Sequence, residues 1–174
     1  PSGISFTDGA FTGTPTETGT FSGIVVTANY GAGLIKTKTY TLEVLPEHLF
    51  SWTPETPTEG NYATFTALGG YYGYYWTYSP RPGEACTTAS YSYSQNANLY
   101  FGPSGEYQVC VSFYDAYNNV ITDSQWVTVE NVAPYIEYIE FYQEPSFPGM
   151  AVYAEVNFSD EDPGPFACKV NWGD

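Results

Sequence analysis

Alternation of apolar and polar positions is clearest from Gly105 to Phe113, where Tyr107, Val109, Val111 and Phe113 interleave with Glu106, Gln108, Cys110 and Ser112. A period of two puts the first set on one face of a strand and the second on the other. Asp115 closes that strand, and Ala116–Asn119 supplies a turn whose Asn residues tolerate positive φ. Gln125–Val129 then resumes the extended pattern, with Val127 and Val129 on one face. The same period, broken by Gly and Pro, predicts strands over 3–6, 11–13, 21–29 and 36–45, then around Trp52 and over 61–68, 71–78 and 89–93. After the hairpin it predicts strands over 136–142, 151–158 and 167–172. No segment carries apolar residues at the three- and four-residue spacing of a helix, so the fold class expected is all-β.

The hairpin resembles the last two strands of a polycystic-kidney-disease (PKD) domain, in which a Gly-x-Tyr-x-Val-x-Val-x-Val-x-Asp strand precedes a turn and a Val-x-Val strand. The motif recurs at Gly19–Val44, where Phe21, Val25, Asn29, Leu42 and Val44 match Tyr107, Val111, Asp115, Val127 and Val129. First Gly to last Val spans 25 positions in that copy and 24 in the central one. A third unit shows its front half, since FSDEDPGPFACKVNWGD resembles the PKD strand ending in Val-x-Trp-Gly-Asp-Gly, with Trp172 matching Trp76. The central unit departs from that pattern, carrying Trp76-Thr77-Tyr78 in place of Trp-Gly-Asp. The opening PSGISF followed by GAFTGTPTETGTF is similar to the immunoglobulin-like and cadherin-like repeats of bacterial surface proteins. The resemblances imply tandem antiparallel Ig-like/PKD β-sandwiches, structural repeats of an extracellular microbial surface protein such as a stalk, adhesin or filament subunit.

On this reading residues 1–46 are the C-terminal half of an Ig-like sandwich, 47–133 a complete PKD-like sandwich and 134–174 the N-terminal half of another. Pro46-Glu47-His48 and Asn131–Pro134 are the joints. The two halves together amount to 87 residues, as many as the central unit. Either a neighbouring copy completes each half by strand or domain complementation, or the adjacent repeats of a longer chain do so. Without an initiator Met, signal peptide or transmembrane run, the sequence reads as a piece of something longer or as a processed product.

Composition sharpens the picture. Eighteen Tyr, eleven Phe and four Trp with a single Met suit strands rather than helical bundles. Four basic residues against nineteen acidic ones give a net charge of −15. That balance excludes nucleic acid and anionic membrane surfaces as partners. Neighbouring copies or repeats and a polysaccharide are the partners that stay open, the latter for the alternative function of a carbohydrate-binding accessory module of a secreted hydrolase.

Of three Cys, Cys86 and Cys110 fall in the central unit, and a bridge between them would be worth about 3–4 kcal/mol on the chain-entropy model. Cys168 is left as a buried thiol or as the partner of a Cys elsewhere. The bridge and the family resemblance together imply an oxidising, extracellular setting.

Catalytic chemistry finds little support. His48 is the only His and sits in a Pro-flanked joint, so a surface role is expected and a triad or zinc site is not. Asp160, Glu161 and Asp162 fall in a stretch where Gly149 to Trp172 spans 23 positions against 16 from Gly60 to Trp76. They are candidate ligands for Ca²⁺, helped by other loops, or else a solvated turn. Asp115, Asn118, Asn119 and Asp123 are a weaker set, equally readable as an Asx-bonded turn. Strict alternation through YYGYYWTY places Tyr72, Tyr74, Trp76 and Tyr78 inward and Tyr71 and Tyr75 outward. There the outward pair can stack on sugar rings, meet a neighbouring subunit, or pair within the sheet. Asn157-Phe158-Ser159 is a glycosylation sequon.

Overall fold

A computed structural model describes residues 1–87, 91–142, 147–167 and 169. Twelve strands and no helix occur among them, and the chain divides into two compact units, Pro1–Leu49 and Phe50–Asp174.

The first unit holds β1 (Ile4–Thr7) paired with β2 (Ala10–Gly13), and β3 (Gly19–Asn29) paired with β4 (Ile35–Val44), both antiparallel. The register of β3 against β4 shifts between Phe21 and Ile24. This bulge absorbs the one residue by which this hairpin exceeds the later one, because the loops 30–34 and 115–119 are equally long. It also inverts the faces that follow: Ile24 and Val26 are half-buried, while Val25, expected to match the buried Val111, is 58% exposed. No side chain of residues 1–48 is buried.

The second unit contains the core. β5 (Phe50–Thr53), β6 (Asn61–Ala67) and β8 (Asn96–Phe101) form one antiparallel sheet in the order β5-β6-β8. β7 (Tyr72–Tyr78), β9 (Gly105–Tyr114) and β10 (Val120–Val129) form another in the order β10-β9-β7. The chain changes sheet between β6 and β7, again before β8 and again before β9, which gives a sandwich-like arrangement. The alternation read along β9 holds: Tyr107, Val109, Val111 and Phe113 are all buried, as are Val127 and Val129 of β10, which lie opposite Tyr107 and Gly105. Rings lock the sheets together, with Phe50 on Trp76 at 5.4 Å and Phe101 on Tyr107 at 4.8 Å between centroids. The Trp76 indole donates to the Ser94 carbonyl (2.9 Å), and the Tyr107 hydroxyl donates to the Pro103 carbonyl (2.8 Å). Burial pushes the Tyr107 phenol up to about 12. A parallel bridge joins Thr58 to Glu130, so the segment entering the core and the one leaving it run side by side.

Two expectations are corrected here. The strand expected over 89–93 lies partly outside the described residues, and of the rest only Ser92 pairs, in an isolated bridge with Trp76. The strand that completes its sheet is β8, where Ala97, Leu99 and Phe101 alternate inward and are buried. Strict alternation through β7 also fails. Its register against β9 slips between Tyr72 and Tyr75, so three residues of β7 face two of β9. Gly73 lies in that bulge at φ +64, and a Cβ there would meet the Tyr114 ring at 2.8 Å.

The bridge Cys86–Cys110 is formed. Cys168 and Trp172 lie outside the described residues. After β10, β11 (Tyr135–Phe141) pairs with β12 (Ala154–Ser159), and no residue of either strand is buried. No helix of the described residues is long and apolar enough to cross a membrane.

Candidate functional site

The acidic turn after β12 is tied back to the end of the sandwich. Glu59, in the loop before β6, is 4% exposed. One of its carboxylate oxygens accepts from the Val132 amide (2.6 Å) and the Asn131 side chain (3.2 Å), and the other from the Ser104 amide (3.2 Å). Asp162 shares these donors: its oxygens accept from the Ser104 amide and hydroxyl and from the Asn131 amide group, each at 2.8 Å. The Ser104 hydroxyl, foremost among these bonds, holds the Asp162 carboxyl below its ordinary value. Asp160 accepts from the Asp162 amide (2.8 Å), which bends the turn inward.

The three acids named as candidate ligands do not all point one way. Asp160 and Asp162 converge, whereas Glu161 turns away to accept from the Tyr100 hydroxyl (3.0 Å) and lies against Gly60. Glu59 takes its place. One carboxylate oxygen from each of Glu59, Asp160 and Asp162 lies within 4.8 Å of the others, a set of hard oxygens of the kind divalent cations use. A pocket of about 220 Å³, lined in part by Val132, Tyr135 and Asp160, opens beside it. Glu59, Ser104 and Asn131 escape a reading of the sequence because nothing local marks them; the fold alone gathers three loops at one end of the sandwich.

The weaker acidic set is a turn. Asp115 accepts from the Tyr117 and Asn119 amides and from the Asn119 side chain, each at 2.8 Å, and these bonds, the Asn119 side chain first, lower its carboxyl. Asn118 takes φ +64 and accepts a hydrogen bond from the Tyr72 hydroxyl. Asp123 is three pairs farther along the hairpin, opposite Val111 and about 10 Å from the turn. His48 is exposed, and Asn157 sits in mid-strand donating to Glu137 (3.1 Å).

The bulge at Gly73 decides where the aromatic run points. Tyr71 packs on the buried Phe113, with centroids 4.7 Å apart, and Tyr74 and Trp76 join the core. Tyr72 instead stacks on Tyr114 at the outer face, and Tyr75 lies outward beside Tyr93 at 5.8 Å. Of the two tyrosines expected to face outward together, only Tyr75 does so. Along the outer face the register aligns Tyr75 with Ser112 and Thr122, and Thr77 with Cys110 and Ser124. These residues line an open groove of about 570 Å³ whose floor includes Cys110 of the disulfide.

No known protein family and no characterised protein matches the chain.

Proposed function

We propose that this chain is a structural repeat segment of an extracellular microbial surface protein, a stalk, adhesin or filament piece built from tandem Ig-like/PKD sandwiches. One observation carries the reading. Among the described strands a buried core exists only in β5–β10, whereas β1–β4 and β11–β12 are two-stranded sheets with exposed apolar residues such as Val25, Ile35, Ile136 and Ile139. A two-stranded sheet with neither face covered is marginal in water, so these strands are sandwich parts awaiting further strands, from adjacent repeats or neighbouring copies.

Details of the central unit support the Ig-like reading. Tyr107 bonds back to the backbone four residues upstream, as at a tyrosine corner, and the parallel Thr58–Glu130 bridge ties the unit's beginning to its end. The disulfide suits an oxidising compartment. Function would then be mechanical: tension along the chain shears the parallel bonds and the ten-pair β9–β10 hairpin together rather than one by one.

Sedimentation combined with amide hydrogen exchange tests this. The expected outcome is strong protection in β5–β10 and rapid exchange in β1–β4 and β11–β12 of the monomer. Protection of the outer strands should appear only as the chain associates and should be lost in Ile139→Lys. A monomer whose β3, β4, β11 and β12 amides are protected as well as those of β9 would overturn the proposal.

A further inference from the structure

We infer that the outer face of the β10-β9-β7 sheet is a glycan-binding groove whose ligand is a neutral polysaccharide chain lying across the strands. The inference goes beyond a structural role and does not depend on how the outer strands are completed. It begins with the Trp76–Ser92 bridge. Trp76 N donates to Ser92 O (3.0 Å) and Tyr91 N to Trp76 O (2.8 Å), which sets Tyr93 directly across from Tyr75 at the edge of β7. The row Tyr93, Tyr75, Ser112, Thr122 therefore crosses four neighbouring chain segments, about 14 Å at ordinary strand spacing. It begins on two rings and ends on two hydroxyls.

That order matches the chemistry of a sugar chain. A pyranose presents an apolar C–H face, which an aromatic ring covers, and an equatorial rim of hydroxyls, which pair with Ser and Thr side chains. Tyr93 is 73% exposed and presents its ring beside the groove residue Tyr75, edge-on to it. Ser124, exposed on the same face, adds a further hydroxyl beside Thr122.

The groove is built on strands rather than loops. Cys110 is bridged to Cys86, whose amide donates to the Gln108 side chain (3.1 Å), so the floor is preorganised. Being open rather than enclosed, it suits a polymer more than a small molecule. Among the described residues no Lys or Arg lines it and Asp123 does, and a chain of net charge −15 repels polyanions, which selects a neutral glycan over an acidic one.

Titration calorimetry of the full chain with soluble cello-, xylo-, manno- and chito-oligosaccharides, and with polygalacturonate as the acidic comparison, tests the inference. The expected result is saturable binding of at least one neutral oligosaccharide and none of polygalacturonate. Tyr93→Ala should weaken that binding by about tenfold or more. Thr122→Trp, an exposed substitution that fills the groove, should weaken it as much. Tyr62→Ala, which removes an exposed ring from the other sheet, should leave it unchanged. Failure to bind any neutral probe would overturn the inference. So would binding that survives both groove variants, an equal loss in Tyr62→Ala, or equal affinity for polygalacturonate.

Discussion

Asp162 shows how one side chain ties a distant turn to the sandwich. Its carboxylate takes three neutral hydrogen bonds, from Ser104 twice and Asn131 once, and these hold it below the ordinary value of 3.8. The folded chain therefore binds this proton less readily than the unfolded chain. The resulting stability is fully present above the ordinary value and is lost as pH falls through the lower, folded value. In Asp162→Asn that acid-side loss should shrink, leaving the share due to Asp115, whose carboxyl is also lowered. Urea midpoints followed through the acid range check this. An identical pH slope in the variant and the parent would show that the Ser104 and Asn131 bonds carry no linkage.

Among the elements, β7 depends most on a single backbone irregularity. Gly73 at φ +64 lets three residues of β7 oppose two of β9, and the Tyr114 ring fills the space where a side chain would stand. Alanine at this position must both adopt a strained φ and displace that ring. Gly73→Ala should therefore cost about 1–2 kcal/mol by chemical denaturation. The variant should also reduce the exposure difference between Tyr72, 47% exposed, and Tyr74, which is buried, read from the chemical modification of each. An unchanged midpoint would mean that the bulge is not held by Gly73. The same device operates in β3, where the slip between Phe21 and Ile24 turns Val25 outward. One inserted residue inverts a face because the side-chain period of a strand is two.

At the scale of the whole molecule, stability is uneven. Among the described residues every strongly buried ring belongs to β5–β10, and the strands before and after them bury none. Force entering at Pro57–Glu59 and leaving at Glu130 meets two backbone bonds, Glu59 N to Glu130 O (3.0 Å) and Glu130 N to Pro57 O (2.8 Å). Glu130→Pro removes the second donor on an exposed residue. It should cost about 1 kcal/mol at equilibrium yet visibly lower the peak unfolding force in single-molecule pulling. An unchanged force would place the mechanical resistance elsewhere, in the β9–β10 hairpin.

By itself the sequence determined whatever depends on neighbours along the chain. Tyr107, Val109, Val111 and Phe113 declare a half-buried strand because two-residue periodicity is local, and Asp115 with Asn118 declares a turn because their side chains and positive φ act within a few residues. The all-β class and the Cys86–Cys110 bridge were legible for related reasons. Tertiary structure alone decided what depends on partners across the fold. Periodicity cannot reveal which residue a bulge absorbs, so the fates of Tyr71 and Tyr75 followed from packing against Phe113 and Tyr93. Nor can it reveal that Glu59, Ser104, Asn131 and Asp162 meet, since their hydrogen bonds form only after two sheets close on one core and bring distant loops to the same end.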